Sequence, residues 1–115
     1  MNTNAWTPET PLIDAPTLSS ELSAIPIAVV HFWAVWNNVD RQMDELIQAL
    51  RPRFQDRIAF FALETDPKSA HDLCRECGIL NLPALVFFRD GKRIETLIGL
   101  RPEAELVETV NRWIA

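Results

Sequence analysis

Short, continuous apolar runs alternate along this chain with longer segments in which apolar residues recur every three or four positions. The runs are rich in β-branched and aromatic side chains, which is typical of strands covered on both faces. Four runs of this kind predict strands over residues 27–33, 58–63, 84–88 and 93–98. In the last run, alternation predicts that Ile94, Thr96 and Ile98 share one face. Asp90 and Gly91, between the last two runs, predict a tight hairpin turn.

Apolar residues at helical spacing fill the segments between the runs. They predict helices over residues 18–25, 38–50, 67–77 and 102–114. We expect Pro26 to end the first helix and Pro52 to break or kink the second, because proline lacks a backbone N–H. Gly78 is expected to end the third helix, since glycine readily adopts the left-handed backbone found there.

The order of these elements indicates one α/β domain. A parallel strand–helix–strand unit followed by an antiparallel pair requires a mixed sheet of four or five strands with helices on both faces. The length of 115 residues allows one domain of this kind. Residues 1–11 are rich in proline and are expected to form an irregular lead-in, with Trp6 folded back onto a domain over 12–115. A short edge strand is expected at 12–14.

Composition narrows the class of protein. Hydrophobic residues make up 48% and charged residues 23%, which is typical of a globular domain and argues against disorder. The net charge of −5 offers no basic surface for nucleic acid. The longest nearly apolar run, residues 25–36, is too short to cross a bilayer, so no membrane partner is expected. No Lys or Arg precedes Arg41, so no basic targeting region is present and a cytoplasmic location is expected.

The chain has two cysteines, Cys74 and Cys77, in C-x-x-C spacing. This spacing is compatible with a redox pair, with part of a metal site, or with two buried apolar side chains. A zinc site needs four ligands, and His71 on the same segment would add one, so no metal is expected. Both cysteines lie near the C-terminal end of a predicted helix, where the helix dipole disfavours a thiolate. The preferred interpretation is structural, with an atypical redox pair as the alternative.

Three separated motifs resemble the thioredoxin family. They are the strand exit Trp33 to Trp36, the Leu82-Pro83 pair before a strand, and the hairpin Phe88 to Gly91 that leads to Gly99. The resemblance covers about residues 12–115 and implies a thioredoxin-like three-layer α/β sandwich. It also implies a cis peptide bond before Pro83.

This chain lacks the two cysteines of the family's active site. Thioredoxins carry W-C-x-x-C, whereas this chain has Trp36, Asn37, Asn38, Val39 and Asp40. Disulfide exchange needs one thiolate to attack and a second thiol to resolve the mixed disulfide, and Asn37 and Asp40 supply neither. Asn as a helix cap and Asp in a first helical turn stabilise a helix start, which explains both residues without chemistry. No catalytic residue and no cofactor are therefore expected here.

His31 lies within the first apolar run, where the resemblance implies a buried Asp beneath the second cysteine. We expect His31 to contact Asp40, directly or through one water. A charge-assisted hydrogen bond would offset part of the cost of burying two polar groups. The alternative is a His31 satisfied by backbone or water.

The resemblance also implies that the family's polypeptide-binding surface is retained. It maps onto Trp36, Leu82, Pro83, Ile98, Gly99 and Leu100. The apolar members predict an interaction patch. The leading hypothesis is a redox-inactive domain that binds a polypeptide noncovalently, as an adaptor or chaperone-like module. The alternatives are an oxidoreductase that uses Cys74 and Cys77, and a structural domain whose groove is covered by a second copy, as a homodimer, or by the lead-in with Trp6.

Overall fold

The computed structural model describes residues 6–54 and 56–115, which contain four α-helices and a four-stranded sheet. The helices are α1 Ala15–Leu22, α2 Asn38–Phe54, α3 His71–Glu76 and α4 Glu103–Ile114, with a 3₁₀ turn at Lys68–Ala70 before α3. The strands are β1 Ile27–Trp33, β2 Ala59–Glu64, β3 Ala84–Arg89 and β4 Lys92–Ile98. The predicted α/β class is confirmed. Within these ranges no helix is both long and apolar enough to span a bilayer.

The strand order in the sheet is β2-β1-β3-β4. β1 pairs in parallel with β2 and antiparallel with β3, and β3 pairs antiparallel with β4, so the sheet is mixed as predicted. The edge strand expected at 12–14 is reduced to one parallel bridge between Leu12 and Ala62. Asp90 and Gly91 both have positive φ and form the two-residue turn of the β3–β4 hairpin.

β1 is buried along its whole length because hydrophobic cores lie on both faces of the sheet. Ala28, Val30 and Phe32 face the core that includes residues of α1, while Ile27 and Val29 face the core that includes α2 and α4. Apolar burial of this kind contributes about 25 cal/mol for each Å² removed from water. Because alternate residues of β1 face two cores, nearly all of them are apolar, which is typical of a central strand.

The first helix begins earlier than predicted. α1 starts at Ala15, since Asp14 caps it by accepting a hydrogen bond from the Thr17 N–H at 3.0 Å, and Pro16 lies in its first turn. It ends at Leu22, so Ile25 lies beyond it. The expectation that residues 18–25 form the helix missed this Asp and Pro start signal.

Pro52 does not break the second helix, so this part of the expectation is wrong. α2 continues to Phe54, with buried Leu50 and Phe54 on either side of Pro52. The Phe54 ring also lies 5.7 Å from the guanidinium carbon of Arg53 and 5.6 Å from that of Arg57. Burial of a phenylalanine stabilises by about 1.5–3 kcal/mol, which offsets a proline so close to the helix end.

The predicted alternation in the last strand is interrupted. The β3–β4 register shifts between Phe87, which pairs with Glu95, and Phe88, which pairs with Arg93. The bulge leaves Ile94 as the extra residue. Ile94 therefore packs on the α2 and α4 face, whereas Ile98 packs on the opposite face.

The lead-in is attached to α2 by a buried carboxylate. Asp44 accepts hydrogen bonds from the Glu9 N–H at 2.9 Å and from the Thr10 hydroxyl at 2.6 Å, and Thr10 is itself buried. Trp6 packs edge-on against Trp33 with ring centroids 5.3 Å apart. Residues 6–11 form no helix or strand, and the rest of the lead-in predicted over 1–11 lies outside the described residues.

Candidate functional site

The candidate site begins at the turn between β1 and α2. The Asn37 N–H donates to the Ala34 carbonyl at 3.1 Å, and the Asn37 side chain accepts from the Val39 N–H at 3.0 Å. This is the bonding pattern of a helix cap, and it satisfies an N–H that would otherwise lack a partner. Asn37 is thus a structural residue at the position where the resemblance implies the first cysteine.

Beneath this turn lies a buried pair of polar side chains. Nε2 of His31 is 3.0 Å from Oδ1 of Asp40, and both side chains are fully buried. Oδ2 of Asp40 accepts a hydrogen bond from the Ala34 N–H at 2.9 Å. The contact is direct rather than through water. It connects β1, the β1–α2 turn and the first turn of α2.

The side chain of Trp36 projects outward from the same turn. It is 67% exposed, and its indole N–H donates to the Asp66 carboxylate at 3.2 Å. Beside it lies a groove of about 390 Å³, called here the Trp36 groove. Its lining residues are Trp36, Thr65, His71, Cys74, Arg75, Ile79, Leu80, Asn81 and Leu82. The Asp66 hydrogen bond restrains the indole at the edge of this groove.

The structure brings together only part of the predicted binding surface. Trp36 and Leu82 line the Trp36 groove, whereas Pro83, Ile98, Gly99 and Leu100 are absent from its lining. Ile98, like Leu82, is half-buried and packs against the core, and its place in the binding surface stays a prediction. Leu100 is 41% exposed outside the groove.

The segment before Pro83 has a defined backbone. The Leu82–Pro83 peptide bond is cis. The Pro83 carbonyl accepts from the Gly99 N–H at 2.8 Å, which fixes Gly99 beside Pro83. The Leu82 N–H is bonded at 2.9 Å to the side-chain oxygen of Asn81. The backbone donor that a docking polypeptide would meet is therefore already engaged by a neighbouring side chain.

Sequence reasoning missed the most exposed apolar residue of the groove. Leu80 is 89% exposed and lies with Ile79 between the end of α3 and Leu82. The signal was present, because two large apolar residues follow Gly78 in a segment that belongs to no strand or helix. An apolar pair in such a connection indicates a contact surface more often than a core.

Cys74 and Cys77 are free thiols. Cys74 is half-buried and lines the Trp36 groove, while Cys77 is buried in the core. Burial raises the pKa of Cys74 above its usual range and raises the pKa of Cys77 to about 11. Such thiols carry little thiolate at neutral pH, so their chemistry is weak. In the described part of the chain, no three metal-ligating side chains come together.

The lead-in does not cover the Trp36 groove. Trp6 contacts Trp33 and lines a separate cavity with Arg41 and Glu45. The hypothesis that Trp6 closes the groove is therefore wrong for the lead-in residues that the structure describes.

The arrangement of sheet, helices and cis-proline turn is that of the thioredoxin fold. It superposes on the oxidised mitochondrial thioredoxin 3 of Saccharomyces cerevisiae with a TM-score of 0.77 at 19% identity, over 90% of this chain and 94% of that one. Residues 13–112 match the thioredoxin family model. The chain belongs to the thioredoxin family.

Sequence relatives agree with this assignment. A chloroplastic M-type thioredoxin of Chlamydomonas reinhardtii is 30% identical over 92 residues, which are 80% of this chain and 64% of that protein. The chain thus spans slightly under two thirds of that relative's length. The thioredoxin of Porphyra purpurea is 30% identical over 87 residues, 76% of this chain and 79% of that protein.

Proposed function

We propose that this chain is a redox-inactive thioredoxin-family domain that binds a polypeptide partner noncovalently in the Trp36 groove. One observation carries the proposal. At the start of α2 the positions that would hold two cysteines hold a helix cap and a buried carboxylate, while the exposed Trp36 beside them still lines a groove with Leu82. The groove can therefore bind a polypeptide even though the two cysteines needed for disulfide exchange are absent from positions 37 and 40.

The groove has the composition of a binding hot spot. Trp36, Ile79, Leu80 and Leu82 supply apolar area, and tryptophan is enriched among residues that dominate binding energy. The hydrogen bond from Trp36 to Asp66 restrains the indole before binding, which lowers the entropy lost on association. A partner segment with large apolar side chains fits this surface best.

The test begins with a photo-crosslinking side chain at position 80. Leu80 lies in the groove and is the most exposed of its apolar residues, so the substitution leaves Trp36 and Leu82 in place. The same side chain at the exposed Glu108 on α4 is the matched control. We expect a polypeptide that crosslinks from position 80 and not from position 108.

The affinity of that polypeptide then decides the proposal. Trp36→Ala combined with Leu82→Asp should weaken binding by about tenfold or more, which corresponds to about 1.4 kcal/mol. Glu108→Ala should leave it unchanged. Equal affinity of the Trp36 and Leu82 double variant and the unaltered chain would show that the groove is not the binding site.

A thiol oxidoreductase that uses Cys74 and Cys77 is the second candidate, because Cys74 lines the groove. The raised pKa of both thiols argues against it. Equilibration in graded glutathione buffers, followed by acid quench, alkylation and mass spectrometry, separates the two. A reversible disulfide at a physiological potential would favour the oxidoreductase, whereas two reduced thiols favour the binding domain.

A further inference from the structure

The ionisable side chains that line the Trp36 groove include two bases and no acid. Arg75 and His71 belong to the lining, whereas no Asp or Glu among the described residues does. This local sign is opposite to that of the whole chain, which has a net charge of −5. The groove therefore offers a partner apolar contact and positive charge at the same place.

Two carboxylates lie beside the groove, and each already has a partner. Asp66 accepts a hydrogen bond from the Trp36 indole at 3.2 Å, and Asp72 forms an ion pair with Arg75. That ion pair is open to solvent, because the side chain of Arg75 is 73% exposed and that of Asp72 is 84% exposed. Exposed pairs of this kind are weak and exchange readily.

The Arg75 guanidinium can bind a second carboxylate. It has five N–H donors, and Asp72 is its one hydrogen-bond acceptor within residues 6–54 and 56–115. A guanidinium also matches the planar geometry of a carboxylate, which makes arginine well suited to recognise aspartate or glutamate.

The loop after Gly78 adds backbone donors to the same lining. Leu80 and Asn81 both line the groove, and neither backbone N–H has an acceptor in the described part of the chain. Asn81 uses its side-chain oxygen to accept from the Leu82 N–H. An incoming acceptor would therefore meet donors that have no intramolecular bond to give up.

The exposed apolar side chains strengthen any ionic contact made beside them. Trp36 is 67% exposed and Leu80 is 89% exposed, so a partner with large apolar side chains would cover both. Covering them excludes water from the groove that Arg75 also lines. An ion pair is stronger where water is excluded, because the effective dielectric constant falls.

We propose that the Trp36 groove selects polypeptide segments in which large apolar side chains flank an aspartate or a glutamate. The apolar side chains cover Trp36 and Leu80, and the carboxylate binds the guanidinium of Arg75. This inference rests on the proposed function, because it names the kind of segment that the same groove takes. It adds a selectivity by charge that apolar contact alone would not give.

The probe is a phage-displayed library of short random peptides, selected on the immobilised chain. Peptides that bind the unaltered chain but not Trp36→Ala form the groove-dependent set. We expect Asp or Glu beside large apolar residues to be enriched in this set, and the enrichment to be lost on Arg75→Gln. Arg93→Gln is the matched control, because Arg93 is exposed on β4 and lies outside the lining. It should select the same peptides as the unaltered chain.

One groove-dependent peptide is then made in two forms, with its acidic residue kept or replaced by the corresponding amide. The acidic form should bind the unaltered chain about fivefold or more tightly than the amide form. The two forms should bind Arg75→Gln equally, because the carboxylate then has no guanidinium to contact. Asp72→Asn should strengthen the acidic form, since it removes the competing partner of Arg75.

The failure of this inference is distinguishable from the failure of the proposed function. A groove-dependent set without acidic residues, or one enriched in Lys or Arg, would overturn the inference and leave binding in the groove intact. An acidic preference that persists in Arg75→Gln would also overturn it. A selection that yields no groove-dependent peptide would count against the proposed function itself, and the inference would fall with it.

Discussion

Nε2 of His31 and Oδ1 of Asp40 lie 3.0 Å apart, and both side chains are fully buried. A single hydrogen bond joins this ring nitrogen and this carboxyl oxygen. The second oxygen of Asp40 accepts from the Ala34 N–H at 2.9 Å. The pair thereby fixes the turn from which Trp36 projects. The proposed function depends on this pair, because Trp36 lines the groove and projects from the turn that the pair stabilises.

Replacing Asp40 should therefore be among the most destabilising single changes. Asp40→Ala removes the partner of both His31 and the Ala34 N–H, and each buried polar group left without a partner costs about 1–3 kcal/mol. Asp40→Asn keeps an oxygen for the Ala34 N–H and should cost clearly less. Urea unfolding of the two variants measures the difference in the free energy of unfolding. Equal, small losses for both would mean that the contact contributes little to stability.

Much of this site could be anticipated from the sequence. A histidine inside an otherwise apolar strand needs a polar partner, and the resemblance to the thioredoxin family implied that this partner is Asp40. The composition of the groove was harder to predict than the His31–Asp40 contact. Leu80 belongs to no element with a periodic pattern. The bulge at Ile94, which puts Ile94 and Ile98 on opposite faces, depends on pairing with β3 and is not visible in the sequence of β4.

Asp44 attaches the lead-in to α2, and its removal should release that segment. Asp44→Ala leaves the N–H groups of Glu9 and Thr10 and the Thr10 hydroxyl without their acceptor, with an expected loss of about 2–4 kcal/mol. The amides of Glu9 and Thr10 should then exchange with solvent much faster. Glu45→Ala, at the exposed neighbouring position, is the control and should change neither quantity. Unchanged amide protection in Asp44→Ala would contradict this role.

The fold was easier to predict than the contacts that complete it. β1 and α2 follow from the local sequence pattern, because β1 is buried along its whole length and α2 buries residues at helical spacing. The attachment of Thr10 to Asp44 joins residues 34 positions apart. No local signal distinguishes Asp44 from an exposed helical carboxylate such as Glu45. The same reasoning explains α2 beyond Pro52, where burial of Phe54 in the tertiary structure outweighs a local preference.

Cys77 should make stability depend on pH in the alkaline range. Burial raises its pKa in the folded chain from 9.0 to about 11, so the folded state holds the proton more tightly than the unfolded state. Its contribution is complete below pH 9 and is lost as the pH rises from 9 toward about 11. The urea midpoint should fall more between pH 8 and pH 10.5 in the unaltered chain than in Cys77→Ala. Because the other groups titrate in both proteins, the comparison isolates the thiol. Parallel losses in the two proteins would show that Cys77 is not the group responsible.

Cysteines placed at positions 37 and 40 should restore thiol chemistry to this fold. Position 37 caps α2, where the N-terminal end of the helix dipole favours a thiolate, and position 40 lies one turn later on the same helix. We expect the Asn37→Cys and Asp40→Cys double variant to form a reversible disulfide in glutathione buffers. The thiol at position 37 should alkylate about tenfold or more faster than Cys74. Asn37→Cys alone is the matched control, since it gives a reactive thiol without the second cysteine at position 40. Circular dichroism must first show that the double variant folds, because it loses the contacts of Asp40. A folded double variant without a reversible disulfide would mean that the chain departs from a redox-active thioredoxin by more than two side chains, with His31 beneath position 40 as the next residue to replace.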